Sequence, residues 1–394
     1  MNRPLGIGVI GAGVISHAYL GTICRSPELQ LVAIASRGME SARAQADRYG
    51  GVAKSAPDLL ADPKVDIVVN LAPPAEHHQI GRAVLERGKH LYSEKPFATS
   101  LEDAKNLMEL AAAKGLTIGC APDTFLGPAH QAARRLIDDD VIGRVVGGAV
   151  VMASSGMEAW HPNPACFYAR GGGPLLDIGP YMITQLVNLL GPVRSVTAIG
   201  SAPRATRGVT SPERAGEVIA VDVPTTVNGA LLFESGANVA LTLSWDVVKH
   251  QRSPIELYGL SGTLTAPTPN GFDGDLMVSD GGAFAITHAA APSGPAPQVG
   301  DIVAAMEALK AGVDPMTGGS LGPKSPPLFG DRRGLGLIDM ARAIRQGANP
   351  RASANLALHV LEVLLALEHC AEMGGSREIA SSTARPEPLR EPLP

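Results

Sequence analysis

Leu5-Gly6-Ile7-Gly8-Val9-Ile10-Gly11-Ala12-Gly13-Val14-Ile15-Ser16 is the stretch that decides the fold. Leu5–Ile10 reads as a short apolar strand, and the chain then turns on Gly11 and Gly13 into a helix. One glycine permits the tight turn, and the second lets a pyrophosphate approach bare backbone. A helix beginning near Val14 and Ile15 directs its unpaired amides at that phosphate. Gly6, Gly8 and Gly11 share the same spacing, but they lie in the strand itself and make the poorer frame. Ser16 stands where a third Gly or Ala is expected, a small enlargement.

Working outward, further strand-like runs follow at Leu29–Ala35, Val65–Leu71, His90–Ser93 and Leu116–Cys120. Helical stretches lie between them, at Ser41–Tyr49, His77–Arg87 and Leu101–Ala113. Alternation of short apolar strands with helices predicts a parallel sheet covered on both faces. Ser100 with Glu102 and Asp103 fits a capped helix start. Beyond residue 122 the texture changes. A helix is expected at Pro128–Asp140, then long β-like runs at Val145–Ser154, Val193–Ser201, Thr225–Phe233, Ala237–Asp246 and Pro254–Thr265. Glu234-Ser235-Gly236 punctuates two of them as a hairpin would. Gly171–Leu190 reads as one helix, residues 296–350 as helices broken by a loop at Pro315–Pro327, and Ala352–Met373 as a final amphipathic helix. The expectation is an α/β N-terminal Rossmann domain (residues 1–122) and an α+β C-terminal domain with a large, mostly antiparallel sheet (123–373). The tail, 374–394, is expected to lack a compact fold.

Composition excludes several classes. Of 394 residues, 45% are hydrophobic and 18% charged, which fits a folded chain rather than a disordered one. A net charge of -5 supplies no broad cationic field for nucleic acid or an anionic membrane. No secretory signal or membrane-spanning run is read, and the four cysteines form no CxxC pair, so a cytoplasmic protein is expected. Metal-ligand spacings, a GxSxG elbow and a GxxxxGK[ST] loop are missing from the sequence, so no metal is expected.

At the end of the second strand stand Ser36 and Arg37, where NAD selectivity usually places a carboxylate. Arginine there can neutralise a 2′-phosphate, so NADP is favoured over NAD.

Two further motifs carry a resemblance. The first is Gly88-Lys89-His90-Leu91-Tyr92-Ser93-Glu94-Lys95-Pro96, and the second Gly171-Gly172-Gly173-Pro174-Leu175-Leu176-Asp177-Ile178-Gly179. With Ile142-Gly143 and the terminal helix, they make the chain resemble the glucose-fructose oxidoreductase and inositol dehydrogenase family over roughly residues 4–373. The resemblance implies a substrate held between two domains over the nicotinamide, with Lys95 as active-site lysine, Pro96 after a cis bond and Asp177 as the helix carboxylate near substrate. It also implies homodimers or homotetramers. Four residues past Asp177 the family usually carries an acid/base histidine, and this chain has Tyr181. The remaining cofactor contacts are assigned to Ala72, Pro73, His77, Glu94 and Lys95. For the adjacent pair His77-His78, cap or backbone roles are preferred to metal ligation.

Oxidising an alcohol requires hydride transfer and removal of the hydroxyl proton. Lys95 beside Tyr181 would favour the phenolate, making the two a proton-transfer pair. Equally open is that Lys95 handles the proton while Tyr181 binds substrate. Asp177 and Tyr181, four apart on the expected helix, face one side. Asp123, Trp160 and His161 are candidate substrate contacts, His161 also as a substitute acid/base. The reading is an NAD(P)-dependent oxidoreductase of a sugar or cyclitol. The alternatives are an enzyme that retains NAD and oxidises its substrate transiently, of glycosidase or epimerase type, and a non-catalytic dinucleotide sensor or scaffold.

Overall fold

The computed structural model describes residues 3–288, 299–323, 325–327, 330–391 and 393. Residues 296–298, 324, 328 and 329 of the expected helical region, and 392 and 394 of the tail, lie outside them. Two compact units emerge, one of residues 1–126, 304–358 and 391–394, the other of 127–303 and 359–390. In this grouping 304–358 joins the first unit, whereas the expectation from sequence kept it within 123–373.

In the first unit run β1 (Leu5–Ile10), α1 (Ser16–Arg25), β2 (Leu29–Ala35), α2 (Met39–Tyr49), β3 (Val52–Ala53), α3 (Ala56–Ala61), β4 (Ile67–Asn70), α4 (His77–Glu86), β5 (His90–Ser93), α5 (Leu101–Lys114) and β6 (Ile118–Cys120). All the strand pairings are parallel, in the order β3-β2-β1-β4-β5-β6. The strand order reverses between β1 and β4, the crevice where such sheets bind ligands. Apolar residues on β1, β4 and β5, such as Ile7, Val9, Val68 and Leu91, are fully buried, as strands covered on both faces must be. Helix α5 starts as expected, the Ser100 hydroxyl accepting the Asp103 amide at 3.1 Å, and it ends on left-handed Gly115.

The chain continues through α6 (Pro128–Asp138), β7 (Val145–Ala153), α7 (Ala165–Tyr168), α8 (Gly173–Asp177), α9 (Gly179–Leu190), β8 (Val193–Ser201), β9 (Thr206–Gly208), β10 (Val218–Ala220), β11 (Thr226–Phe233), β12 (Asn238–Ser244), β13 (Ile255–Gly259), β14 (Thr263–Ala266), β15 (Leu276–Ser279) and β16 (Ala285–His288). Then come α10 (Val299–Ala311), α11 (Leu335–Gln346), α12 (Ala354–Met373) and β17 (Ser376–Glu378). The second unit holds a nine-stranded sheet, β16-β15-β14-β13-β7-β12-β11-β8-β17, antiparallel except for β7 beside β12. Every residue of α9 is buried, and Gly179 lets it sit against Leu364 of α12, where a Cβ would come within 2.4 Å.

Three expectations change. Pro254–Thr265 is two antiparallel strands, because Leu260-Ser261-Gly262 turns the chain. The expected helix Gly171–Leu190 starts at Gly173 and is interrupted at Ile178, since Pro180 has no amide to continue the ladder. The tail is packed: β17 pairs with β8, Arg134 donates to the Pro386 carbonyl at 2.7 Å, and Leu389 donates its amide to Gln131 at 2.8 Å. Its sequence hid this because main-chain hydrogen bonds, not an apolar periodicity, hold it down.

Candidate active site

The turn after β1 separates its glycines by task. Gly11 has φ +111° and donates to the Ala35 carbonyl at 2.9 Å, and a Cβ there would stand 2.6 Å from the Leu71 carbonyl oxygen. A side chain at Gly13, by contrast, would meet nothing within 4 Å. Gly13 therefore leaves the main chain open on its outer side, the bare cradle a pyrophosphate needs. Gly6 and Gly8 serve packing: a Cβ on Gly6 would lie 1.8 Å from the Lys64 carbonyl oxygen, and one on Gly8 would lie 2.7 Å from Leu59. Buried Ser16 replaces the third glycine usefully, its hydroxyl donating to the Gly13 carbonyl at 2.6 Å and tying the turn to α1. Val14 is exposed and Ile15 half-buried beside it. The residues present fit a dinucleotide.

Around this turn the carboxyl ends of β2, β4 and β5 supply the other predicted residues. Ser36 is half-buried, and Arg37 is exposed with Glu76 3.7 Å away. Asn70, ending β4, accepts the Ala72 amide at 3.2 Å and donates to the His77 carbonyl at 3.3 Å, shaping the Ala72-Pro73 loop. His77 is buried, and its ring spans the carbonyls of Ala72 (Nε2, 2.8 Å) and Pro96 (Nδ1, 2.7 Å). Both ring nitrogens are occupied in bracing the Ala72 loop against the Lys95-Pro96 turn. Glu94 also braces the turn. It is buried, one carboxylate oxygen accepting from the Tyr19 hydroxyl at 2.7 Å and the other from the Lys95 amide at 2.9 Å. Tyr19 was not foreseen, and burial beside Glu94 pushes its phenol well up. Lys95 is half-buried just past β5, and its bond to Pro96 is cis.

Asp123, expected to touch substrate, is 1% exposed. One oxygen accepts the Gly334 and Gly336 amides at 2.8 and 2.9 Å and the Tyr92 hydroxyl at 3.2 Å, capping α11. Its other oxygen is buried without a hydrogen bond. Burial raises its pKa to about 6 against the two amides, which lower it. The Pro315–Pro327 loop packs on α1, where Arg25 donates to the Ser325 carbonyl at 3.1 Å.

The second unit carries Trp160, His161, Asp177 and Tyr181. Asp177 is half-buried as the last residue of α8, and Tyr181 is buried in the first turn of α9, so the interruption at Ile178 falls between them. The loop before the glycine cluster forms a ladder of edge-on rings: Trp160 to His161 (5.4 Å), His161 to Phe167 (4.6 Å), Phe167 to Trp245 (6.0 Å) and Tyr168 to Trp245 (5.3 Å). Burial lowers the pKa of His161, while the hydrogen bond from Asn163 and the charge of Asp177 raise it.

Beneath the ladder lies a charge cluster that sequence reasoning missed. The Arg207 guanidinium, 1% exposed, pairs with Glu158 at 2.8 Å and with Asp246, and it donates to the Ser155 and Trp245 carbonyls. Asp246 also accepts from the hydroxyls of Thr225 and Thr226, each at 2.7 Å. Tyr168 donates to Glu158 and lies under the Arg207 guanidinium. A buried charge held this way fixes the loop that bears Trp160 and His161. The signal available was Asp246 beside Trp245 at a strand end, with nothing to name Arg207 as its partner.

Comparison with known proteins identifies the family and the fold. Residues 5–121 match the oxidoreductase family with an NAD-binding Rossmann fold, and 130–265 match the GFO/IDH/MocA C-terminal domain. The chain is 31% identical over 269 residues to dTDP-3,4-didehydro-2,6-dideoxy-alpha-D-glucose 3-reductase of Streptomyces violaceoruber, spanning 67% of this chain and 72% of that one. It is 29% identical over 205 residues to D-glucoside 3-dehydrogenase of Escherichia coli (strain K12), spanning 50% and 58%. Levoglucosan dehydrogenase in complex with NADH and L-sorbose shares the fold, with a TM-score of 0.76, 21% identity and coverage of 96% and 100%. The chain belongs to the GFO/IDH/MocA oxidoreductases. It is an NAD(P)-dependent enzyme that works by hydride transfer. Among the described residues no helix is long and apolar enough to cross a membrane.

Proposed function

We propose that this enzyme interconverts a secondary hydroxyl and a ketone on a pyranose ring, at ring position 3, with NADP preferred over NAD. The observation that carries the reading is the alignment of the Gly11–Gly13 cradle, the Ala72 loop and Lys95 along the carboxyl ends of β1, β4 and β5. Both named relatives act at position 3, which supports the ring position.

A bound nicotinamide supplies hydride chemistry. Lys95 donates to the reacting oxygen and stabilises the negative charge that develops there. Its backbone is held by Glu94, which Tyr19 in turn anchors, so the ammonium is presented from a fixed turn. Asp177 orients a neighbouring hydroxyl. Tyr181 exchanges the proton with Lys95, or else only binds substrate. Tyr181→Phe separates these: unchanged kcat across pH assigns the proton to Lys95 alone.

The NADP preference rests on exposed Arg37 at the end of β2. Its contact with Glu76 is long and solvent-exposed, so it is weak enough to yield to a 2′-phosphate. Residence in the cytoplasm and a homodimer or homotetramer complete the reading, the latter checked by light scattering on an eluting column. The deciding experiment is a panel of hexopyranosides, deoxyhexoses, sugar acids and inositols with NAD and NADP, read at the reduced-nicotinamide absorbance. A pyranoside oxidised faster with NADP is expected. Activity confined to inositols would overturn the substrate class, and no reduction of either dinucleotide would overturn the function.

A further inference from the structure

The charge of Asp177 acts upon the His161 imidazole, and the surroundings of that ring limit what it can do. Its Nδ1 accepts the backbone amide of Asn163 at 3.0 Å. Asn163 is itself immobilised. Pro162 and Pro164 flank it, the Arg214 guanidinium donates to its side-chain oxygen at 2.9 Å, and the Cys166 thiol donates to its carbonyl at 3.2 Å. The His161 amide donates to the Met157 carbonyl at 3.0 Å, and Trp160 and Phe167 hold the ring edge-on. A neutral imidazole whose Nδ1 accepts must carry its proton on Nε2. In this structure Nε2 has no hydrogen-bond partner among the described residues, and the ring is half-buried.

We propose that His161 is a positioning residue of fixed tautomer, which offers Nε2–H to an oxygen of the sugar and is not the proton acceptor that stands in for the missing histidine. Protonating the ring would place Nδ1–H against the Asn163 N–H, donor against donor. Burial disfavours the cation further while Asp177 favours it, and the other charged groups around the loop are the Arg214–Glu217 pair and the Arg207–Glu158–Asp246 cluster. The proposal rests on the functional reading above for the identity of its acceptor.

Two measurements test it on the full-length protein. Ring-nitrogen NMR with labelled histidine is expected to show His161 as the Nε2-protonated neutral form at pH 7, and an Nδ1-protonated or cationic ring would overturn the proposal. His161→Gln keeps an N–H donor at the Nε2 position, whereas His161→Leu keeps none. The expected result is that Gln leaves the pH–kcat profile and most of kcat/KM intact, while Leu loses on the order of tenfold in kcat/KM, chiefly through KM. Loss of turnover in the Gln variant together with loss of a limb of the pH profile would make His161 a proton carrier and sink the idea. A wild-type enzyme inert on every sugar would overturn the functional reading instead, a failure told apart by the tautomer, which is read on the protein alone.

Discussion

In the first unit the surface offered to a dinucleotide is main chain, while in the second the predicted substrate residues hang on side-chain contacts between distant segments. Gly13 contributes an empty space and Gly11 a left-handed turn. His161, in contrast, sits on a loop braced by Arg207, Glu158 and Asp246, which come from three different stretches of the chain, and Asp177 ends the short helix α8. Backbone sites depend on local glycine chemistry and tolerate drift in the residues around them. Side-chain sites fail when any buried partner goes.

The contrast can be broken or sharpened experimentally. The largest effect is expected from Lys95→Ala, which should lower kcat/KM by about 10³-fold while leaving dinucleotide affinity near wild type, measured by initial rates and cofactor fluorescence. A small loss would mean that the charge at Lys95 is dispensable.

Arg207→Met should cost about 3–5 kcal/mol, because it strands Glu158 and Asp246 in a buried site. Urea denaturation reads this directly, and a loss below about 1 kcal/mol, the range of an exposed pair, would show that the cluster does not brace the loop.

Asp123 and His17 make a paired test within the first unit. Asp123 has its pKa raised to about 6 in the fold, against about 3.9 unfolded. Its contribution to stability is therefore full below about pH 4 and lost as pH rises through about 6. His17 runs the other way: burial and the nearby Arg48 charge lower it to about 4, so its contribution is present above about 6.5, its unfolded value, and is lost as pH falls towards 4. In Asp123→Asn that opposing slope disappears while those of His17 and the other buried histidines, His90, His130, His161 and His359, remain, so stability should climb with pH more steeply than in the wild type, the difference reaching up to about 3 kcal/mol across this window. A curve parallel to wild type would deny Asp123 its shift.

The two kinds of glycine give the smallest and most discriminating effects. Gly13→Val should weaken NADP binding by on the order of tenfold or more with Tm unchanged, since its side chain projects into open space where a phosphate would lie. Gly6→Ala should lower Tm instead, because Lys64 stands in its way. Arg37→Asp should turn the NADP preference by about tenfold toward NAD.

Much of the first unit was legible because its signals are local. A strand ending in Gly11-Ala12-Gly13 and a Ser100 cap each announce a structure within a few residues. Asp123 was offered as a substrate contact from the same kind of local signal. At the end of a strand it looks like a ligand, and only the return of 304–358 shows that its carboxylate caps α11. His77 and Glu94 were placed at the right end of the sheet, but whether they face a ligand or brace a turn depends on Pro96 and Tyr19, which are remote in sequence.

The alternation of the main strands and helices of the first unit, the glycine turn and the presence of Lys95 and Asp177 followed from the sequence by itself, since each rests on residues adjacent in the chain. Folding in three dimensions alone decided which polar groups are spent on one another. Tyr19 with Glu94, and Arg207 with Glu158 and Asp246, are hydrogen bonds whose partners and directions exist only once the backbone has brought them within reach.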